Sequence, residues 1–585
     1  MQWNFHFVVS LAVCLSSVII GEVCAQTTFL VEGSTDFERC LAETKLPNPD
    51  SLVASCVQQL RADGFLETSV DRVVRSGDVI TLSVHQGQRY EIGSWSQSVN
   101  GTNFYGIGRE DTLALPAKVS DLQSQPAKYL KVSAKEGYPF ARLRYDSLTV
   151  REGSLSGKTT TWSGPRITYG GIRYVNPDEE EPVSTSYLER YLQLEPGRTY
   201  KSTEIAQVEQ RLRGLRFVEL KRPPVVVFES AQAFVYLDAK PRQTSRFDFL
   251  LGFLPNSDAN NGQLLLTGDI TLELENALRK GERLFFNFER LQPESTELTA
   301  EGAYPYLFDS PFGARATFGL YRQQNDWLRI NYEVGGTYAL GGGSSYELFY
   351  EGGQAQILGF DTALVQQTLV LPEVLDATRN GFGMRLRIDK RDDVFDTRKG
   401  WRLNTEGSAS LRTVTVPGSI RELDESLQKQ ADSLGGQTGQ YRGALDVSYF
   451  IPIGARSTFV TQLRGAVLAG AQTPLRNELY RIGGNRLLRG FDEQTIDAQH
   501  YSVLTAEYRL LIGAGSYLFA FGDQGALRDP YRASGKFDNP TGFGAGLRLA
   551  TKGGGLSLTY AYGRRRGAPI EWERAKIHIG YESRF

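Results

Sequence analysis

The stretch LRINYEVGG, residues 328–336, places an apolar side chain at every second position. The alternation sets Leu328, Ile330, Tyr332 and Val334 against Arg329, Asn331 and Glu333. A period of two predicts a β-strand with one apolar face and one polar face. The stretches RFDFLLGF (residues 246–253), FGMRLRID (residues 382–389) and VLTAEYRLLI (residues 503–512) repeat the pattern. The C-terminal part of the chain is therefore predicted to be all β.

Strand-like segments of this kind recur throughout residues 245–585, with roughly sixteen candidates. Short links such as DDVFDTRKG (residues 392–400) alternate with long ones such as residues 412–440. A soluble β-sandwich would also alternate, but a densely charged face and alternating link lengths are typical of outer-membrane barrels. We predict that residues 243–585 form a 16-stranded antiparallel transmembrane β-barrel, closed by the terminal stretch AKIHIGYESRF (residues 575–585).

Three segments of the N-terminal part share one layout, a helix that ends in a glycine near an aromatic residue, followed by strands. The glycines are Gly64, Gly137 and Gly214, which gives a period of roughly 75 residues. This period predicts three small α+β repeats, at residues 26–90, 91–165 and 166–242. Gly214 is expected to take the left-handed position after its helix. Open sheets leave strand edges that can pair with an incoming strand, although inert spacers are the alternative.

The first 25 residues have the features of a secretory signal peptide. An apolar run at residues 5–21 is followed by the small-residue pattern Val23-Cys24-Ala25. The alternative is an uncleaved membrane anchor, because the run is nearly long enough to span a bilayer. Cleavage would leave Cys40 and Cys56 in an oxidising compartment, where a disulfide between them is permitted.

Charge and composition argue against several functional classes. The chain has 65 basic and 67 acidic residues and a formal net charge of −2, so no nucleic-acid partner is predicted. Its histidines, at positions 6, 85, 500 and 578, are too scattered for an evident catalytic site. Asp389, Asp392, Asp393 and Asp396 lie close together, but a solvated turn explains them better than a cation site. We expect no enzymatic activity, no catalytic residues, no metal and no cofactor.

Three motifs follow one another in the C-terminal part. They are DKRDDVFDTRKGWRL (residues 389–403), LRGF (residues 488–491) and FGDQG (residues 521–525). Behind three repeats, these motifs resemble those of the BamA/TamA superfamily of POTRA-containing outer-membrane protein assembly factors, and three repeats resemble TamA most. The resemblance covers nearly the whole mature chain. One departure is Ser583, where the family's C-terminal targeting signal usually has a hydrophobic residue.

The resemblance implies roles for the LRGF and FGDQG motifs. A lumenal loop that contains Arg489, Gly490 and Phe491 would fold back into the barrel, as the sixth outer loop. Its arginine would pair with the aspartate of a motif in the thirteenth strand, which consists of Phe521, Asp523 and Gly525. A guanidinium is a planar fork that suits a carboxylate.

It also implies roles at the turn and at the seam. The periplasmic turn between the eighth and ninth strands would contain Asp389, Arg391, Asp392 and Gly400. Gly252 in the first strand and Gly580 in the last would weaken the seam between these strands, and the C-terminal signal would include Tyr581 and Phe585.

As for function, the resemblance implies an assembly factor of the Gram-negative outer membrane. The repeats would receive unfolded outer-membrane or secreted proteins, and a lateral seam in the barrel would open towards outer-membrane lipid. A periplasmic partner anchored in the inner membrane is expected by analogy with TamA. The alternative is a dedicated two-partner-type pore that exports a single passenger, but such relatives usually carry two repeats and a plug helix. A plain porin does not explain the repeats.

Overall fold

The computed structural model describes much of the chain outside its N-terminus. The described residues are 28–44, 48–77, 79–99, 116, 118–176, 179–255, 264–290, 295–323, 325–485, 487–492, 494–532, 537–551, 554–565, 569–570 and 575–583. The predicted signal peptide at residues 1–25 and the terminal Phe585 lie outside them. The chain divides into two compact units, residues 1–167 with 199–202, and residues 168–198 with 203–585. No helix in the described part is long and apolar enough to cross a membrane.

The first unit contains two α+β modules. The first has β1 (Thr28–Glu32), α1 (Thr35–Glu43), α2 (Pro49–Ala62), β2 (Ser69–Ser76) and β3 (Val79–His85). Its sheet has the order β1-β3-β2, with β1 parallel and β2 antiparallel to the central strand. The helices cover one face of the sheet, where Phe37, Cys56 and Leu82 are fully buried.

A disulfide joins the two helices of this module. Cys40 in α1 and Cys56 in α2 are bonded, with their Cα atoms 5.7 Å apart, and both side chains are buried. The cross-link closes a loop with a sequence separation of 16. Such a loop restricts the unfolded chain, so the disulfide stabilises a module whose core is small.

Replacing both cysteines by alanine is expected to destabilise the first module by about 3 kcal/mol, because the loop-closure constraint on its unfolded state is lost. The measurement is limited proteolysis of the full chain across a urea series, with cleavage within residues 28–90 as readout. Reductant serves as the control, since it should shift cleavage of the unsubstituted protein to lower urea and leave the double variant unaffected. Equal urea midpoints for the two proteins would contradict the prediction.

The second module repeats the same arrangement. It has β4 (Glu91–Val99), α3 (Val119–Lys135), β5 (Arg142–Arg151) and β6 (Ser154–Trp162), in the sheet order β4-β6-β5. Gly64 and Gly137 follow α2 and α3 with φ of +110° and +95°. In both places the next N–H donates back into the helix, from Phe65 to Leu60 and from Tyr138 to Ser133. Only glycine adopts this left-handed ending without strain, which explains the repeated glycine and aromatic pair.

The third module belongs to the second unit. It contains β7 (Thr168–Tyr174), α4 (Thr185–Leu192), α5 (Ser202–Ile205), α6 (Val208–Arg213), β8 (Val218–Leu220), β9 (Val225–Glu229), β10 (Gln232–Leu237) and β11 (Ala239–Pro241). The main sheet has the order β7-β10-β9, and β8 pairs with β11. The prediction for Gly214 was wrong, because this residue caps α6 in the right-handed region at φ −74°. Its N–H instead closes ordinary helical turns with Gln210 and Arg211.

A single large antiparallel sheet follows the third module. Its strands, with two small strands and three helices in the links between them, are β12 (Arg246–Pro255), β13 (Leu264–Glu275), β14 (Arg283–Arg290), β15 (Ser295–Tyr304), β16 (Phe312–Gln323), β17 (Trp327–Gly341), β18 (Ser344–Ile357), α7 (Thr362–Thr368), β19 (Asp376–Asp389), β20 (Gly400–Thr415), α8 (Gly418–Arg421), α9 (Glu425–Leu434), β21 (Gln437–Ile453), β22 (Ser457–Gly470), β23 (Tyr480–Ile482), β24 (Ile496–Ala498), β25 (His500–Gly513), β26 (Ser516–Arg528), β27 (Phe537–Asp538), β28 (Thr541–Thr551), β29 (Gly554–Arg564) and β30 (Lys576–Ser583). Short 3₁₀ turns occur at Leu307–Asp309 and Arg476–Glu478.

This sheet forms the predicted barrel. Over the described residues it has 17 strands, one of which, β27, is a two-residue strand paired with the end of β26. Leaving β27 out gives the sixteen long strands expected from the sequence. The predicted fold class, α+β repeats followed by an antiparallel barrel, is confirmed.

The two faces of the barrel wall differ in chemistry. Large apolar side chains point outwards and are exposed, as at Leu348 (68%) and Phe382 (71%). Side chains of the other parity point inwards and form ion pairs. Arg385, for example, donates to Glu347 at 2.8 Å and to Glu406 at 2.8 Å. An apolar exterior around a charged interior is the pattern of a barrel that stands in lipid.

The two ends of the barrel differ in their links. At the end next to the third module, which we call the repeat end, links such as residues 342–343 and 514–515 are short. At the opposite, distal end, residues 358–375 carry α7 and residues 416–436 carry α8 and α9. These helices share a small apolar core that includes Val365, Ile420 and Leu427. The longest distal link, residues 471–499, is called loop 6 below.

The first and last strands are the edges of this sheet. Within the described residues the pairing runs in one series from β12 to β30, and no backbone pairing joins those two strands. Some of their Cα atoms nevertheless lie within 8 Å of each other. At this seam the two edge strands therefore lie close together, but no described hydrogen-bond ladder joins them.

Candidate functional site

Loop 6 forms a small folded element of its own. Its strands β23 and β24 pair antiparallel, with Arg481 opposite Asp497. Ile482, Leu488 and Ile496 are buried in one cluster with Val503 of β25 and Leu527 of β26. The loop therefore packs against the inner wall of the barrel.

Arg489, at the tip of this element, is held by two carboxylates. Its Nε and Nη2 donate to the two oxygens of Asp523, both at 2.8 Å. Its Nη1 donates to Glu507 at 2.6 Å, and its backbone N–H donates to Asp523 at 3.1 Å. Arg489 is 9% exposed and Asp523 1% exposed. A two-pronged, charge-assisted contact of this kind is strong and geometrically specific.

Neighbouring groups complete the surroundings of this ion pair. The guanidinium of Arg489 lies 3.4 Å from the ring centroid of Phe521, which provides a cation–π contact. Thr505 donates to Asp523 at 2.8 Å, and Arg509 donates to Glu507 at 2.7 Å. Two arginines thus face two acids, so the buried cluster is balanced in charge.

Glycines let the backbone of loop 6 lie directly on the wall. Gly490 has φ of +89°. A Cβ atom on Gly542 of β28 would lie 2.0 Å from the carbonyl oxygen of Arg489, and one on Gly563 of β29 would lie 2.3 Å from that of Gly490. Any side chain at these wall positions would occupy the space of the loop backbone.

A second ion pair anchors the other arm of the loop. Arg412 of β20 donates to both carboxylate oxygens of Glu478, at 2.8 and 2.6 Å, and both residues are buried. Gln440 and the backbone N–H of Leu475 also donate to Glu478, at 3.2 and 2.8 Å. Here the loop supplies the anion and the wall the cation, the reverse of the arrangement at Arg489.

Contacts with the last strands extend the reach of the loop. Lys576 of β30 lies 2.7 Å from the carboxylate of Asp492. With Arg489 beside β25, β26 and β28, and Gly490 beside β29, loop 6 touches each of the final long strands. It therefore braces the side of the barrel that ends at the seam.

The turn motif between β19 and β20 is held by several hydrogen bonds within the turn itself. Arg391 donates to both oxygens of Asp389, at 2.9 and 2.6 Å. One oxygen of Asp392 accepts the backbone N–H groups of Asp393, Arg398 and Lys399. Gly400 has φ of +108°. In the described part of the chain, no group of three or more His, Cys, Asp or Glu side chains could hold a metal ion.

The third module is attached to the repeat end of the barrel. The ring of Tyr187 in α4 covers Gly281, where a Cβ would lie 2.2 Å from it, and meets the Tyr306 ring edge-on at 5.2 Å. Burial, with Tyr306 alongside, raises the pKa of the Tyr187 phenol. Gln193 donates to the carbonyl of Leu340 at 2.9 Å, and Gln210 donates to that of Arg391 at 3.3 Å.

The seam residues lie apart from the loop motif. Gly252 of β12 pairs with Thr267, and Gly580 of β30 pairs with Ser557. The backbone of Tyr581 pairs with Leu556. The structure thus brings together the loop motif and the strand motif, while the turn motif and the seam occupy other places on the barrel.

Two acidic residues of the site were not singled out from the sequence. Glu507 had a signal, because it has the inward parity of the alternating stretch VLTAEYRLLI. Glu478 had none, since it lies in a loop and its partner Arg412 is 66 residues away. Only the folded loop shows that both residues fix it.

Comparison with known proteins finds a family model that matches part of the barrel. A model described as the Omp85 superfamily domain matches residues 373–582. The chain carries an Omp85 superfamily domain. This Omp85 domain includes loop 6, the strand motif and the turn motif, so the resemblance inferred from the motifs is confirmed at the level of the superfamily. No curated protein matches the chain significantly.

Solved structures with similar folds cover most of the chain. CdiB from Escherichia coli is 14% identical, with a TM-score of 0.54 over 93% of this chain and 100% of that one. CdiB from Acinetobacter baumannii is 12% identical, with a TM-score of 0.51 over 95% and 100%. BamA from Haemophilus ducreyi lacking POTRA domains 1–3 is 15% identical over 85% and 100%, but its TM-score of 0.40 is too low to bear on the fold.

Proposed function

We propose that this protein is an outer-membrane assembly factor, which accepts unfolded proteins on its repeats and inserts or translocates them through its barrel. The observation that carries the proposal is the seam between β12 and β30, which has no backbone pairing within the described residues and lies next to a loop that braces the final strands. We propose that the repeats lie in the periplasm, that the distal end faces outwards, and that the protein catalyses no covalent chemistry.

Exposed edges on the repeats support the first step. In each module the central strand is flanked on both sides, which leaves two edge strands per sheet. The edge strand β2 exposes Val73 and Val74, and the edge strand β9 exposes Val225 and Val227. An extended apolar client segment could add to such an edge through main-chain hydrogen bonds.

The seam supports the second step. A strand edge inside lipid is costly unless its backbone groups are paired, so an unpaired seam can accept a client strand and template its pairing. Insertion by this route requires no external energy source. Gly252 and Gly580 have no side chain that would reinforce the contact between the edges.

A dedicated secretion pore is the second candidate function. It is favoured by the fold shared with the two CdiB structures. It is opposed by the third repeat, since pores of that class usually carry two. Depletion of the protein followed by outer-membrane proteomics separates the two: loss of many barrel proteins supports an assembly factor, and loss of one secreted protein supports a pore. An inner-membrane-anchored partner remains part of the proposal by analogy with TamA.

Cross-linking β12 to β30 through introduced cysteines is expected to abolish client insertion, because the seam could no longer open. The matched control is a cysteine pair at Leu348 and Met384, which face each other on β18 and β19 and both point outwards. That link reinforces an existing ladder and should leave insertion unchanged. Insertion of a radiolabelled client barrel into proteoliposomes is the measurement, and full activity of the seam-linked protein would count against lateral opening.

A further inference from the structure

A cavity of about 800 Å³ opens at the distal end of the barrel, between loop 6 and the link that carries α7. Its walls are mostly apolar and include Trp327, Ile357, Phe360, Leu364, Val365 and Leu371. Three arginines, Arg329 of β17 and Arg476 and Arg481 of loop 6, also line it. A cavity of this volume, in which apolar walls meet several charged side chains, can hold a small molecule that has both an apolar and a charged part.

Arg329 and Arg481 form no ion pair within the described residues. Arg329 donates from Nη1 to the carbonyl of Asn477 at 3.1 Å, and its Nε is buried without an acceptor. Arg481 donates to neutral acceptors, the Gln323 side chain at 3.0 Å and the Gln494 carbonyl at 3.0 Å.

The acids that border the cavity are engaged elsewhere or exposed. Glu373 and Asp497 both bind Arg476, at 3.0 and 3.1 Å. Asp361 caps α7 by accepting the N–H of Leu364 at 3.0 Å. Asp326 lies exposed at the surface. None of them forms a described ion pair with Arg329 or Arg481, and the acid that acts on Arg329 from nearby is Glu297 of β15, which accepts from Gln494 at 3.4 Å.

Aromatic rings compensate part of this charge. Arg329 lies 5.6 Å from the ring centroid of Trp327 and 5.8 Å from that of Tyr321, and Arg481 lies 5.2 Å from the latter. Cation–π contacts at such distances are modest compared with the cost of burying an unpaired cation. An anion in the cavity would supply what the protein does not.

We infer that this cavity binds an amphipathic anion with a single alkyl chain. The head group, a carboxylate or a phosphate, contacts Arg329 and Arg481. The chain lies along Trp327, Phe360 and Leu364. A free fatty acid and an alkyl phosphate group of a lipid share this chemistry. The inference does not depend on the proposed function, because it rests on the distal cavity alone.

The test uses Trp327 as reporter in the full chain, embedded in lipid nanodiscs. Brominated dodecanoate is expected to quench the tryptophan fluorescence saturably, and Trp327→Phe should remove that saturable part. Arg329→Gln and Arg481→Gln should each weaken binding about tenfold, since a charge-assisted hydrogen bond to the head group is lost. Arg322→Gln, an exposed arginine of the preceding strand that does not line the cavity, is the matched control and should bind normally.

Head-group variants of the probe decide the chemistry. Brominated dodecanol should bind at least about tenfold more weakly than the dodecanoate. Competition with dodecyl phosphate shows which of the two head groups is preferred, and displacement by either anion supports the site. Equal binding of alcohol and acid, or unchanged binding by Arg329→Gln, would overturn the inference.

A surface substitution guards against misfolding of the arginine variants. Leu364 lines the cavity and is exposed, so Leu364→Glu should leave the fold intact while adding a negative charge beside the head group. We expect about tenfold weaker binding of the dodecanoate, with unaltered heat-modifiable migration on gels. Unchanged affinity in this variant would also contradict the inference.

Discussion

Replacing Arg489 by glutamine is expected to destabilise the barrel by about 3–5 kcal/mol, because two buried carboxylates lose their cation. Asp523 would keep only Thr505 and the backbone N–H of residue 489 as donors, and Glu507 would keep Arg509. The measurement is urea-dependent unfolding of the full chain in detergent micelles, followed by loss of the compact band on unheated gels. Lysine at this position retains the charge but not the fork, so Arg489→Lys should fall between the two proteins.

The control for this prediction removes the anions as well. If the cost comes from uncompensated charge, adding Asp523→Asn and Glu507→Gln to Arg489→Gln should recover part of the lost stability. Both carboxylates are needed because Arg489 divides its donors between them. If the losses in the free energy of unfolding simply add across the three substitutions, the groups do not interact, because residues in contact are expected to show coupled effects.

Alanine at position 542 is expected to push loop 6 off the barrel wall. Its Cβ would lie 2.0 Å from the carbonyl oxygen of Arg489, closer than any real contact, and the obstacle is backbone rather than a movable side chain. Overpacking of this kind costs about 1–3 kcal/mol or more. Displacement of the loop should appear as new protease cleavage within residues 471–499 of the full chain.

The matched control is Gly522→Ala on the neighbouring strand β26. A Cβ there would meet nothing within 4 Å, so the substitution should be neutral or slightly stabilising. Combining Gly542→Ala with Arg489→Gln provides a second check, because both changes release the same loop and their effects should not add. Equal protease resistance of the two alanine variants would contradict the assigned contact.

Local patterns in the sequence were enough to predict the architecture. The alternation of LRINYEVGG is a property of adjacent residues, so strands and their inward and outward faces could be predicted without any long-range information. The glycines at 64 and 137 likewise record a local backbone requirement, the left-handed helix ending. Gly214 follows a similar helix but adopts a right-handed conformation. It comes directly after the last residue of α6, whereas Gly64 and Gly137 each lie two residues after the end of their helix.

Contacts between distant residues could not be predicted in the same way. The pairing of Arg489 with Asp523 was available only through a family resemblance, and the carboxylate of Glu507 was missed beside it. The roles of Gly542 and Gly563 depend on the backbone of a loop more than 50 residues earlier in the chain, which no local pattern encodes. The helices α7 to α9 lie in links whose sequences carry no strand signal.

The attachment of the third module has a mechanical consequence. The contacts described for Tyr187, Gln193 and Gln210 all reach turns between β13 and β20, and the chain itself enters the barrel at β12. Force applied to the module would therefore be transmitted to the early strands of the barrel. The later strands, which end in β30, are held by their neighbours in the sheet and, from inside the barrel, by loop 6.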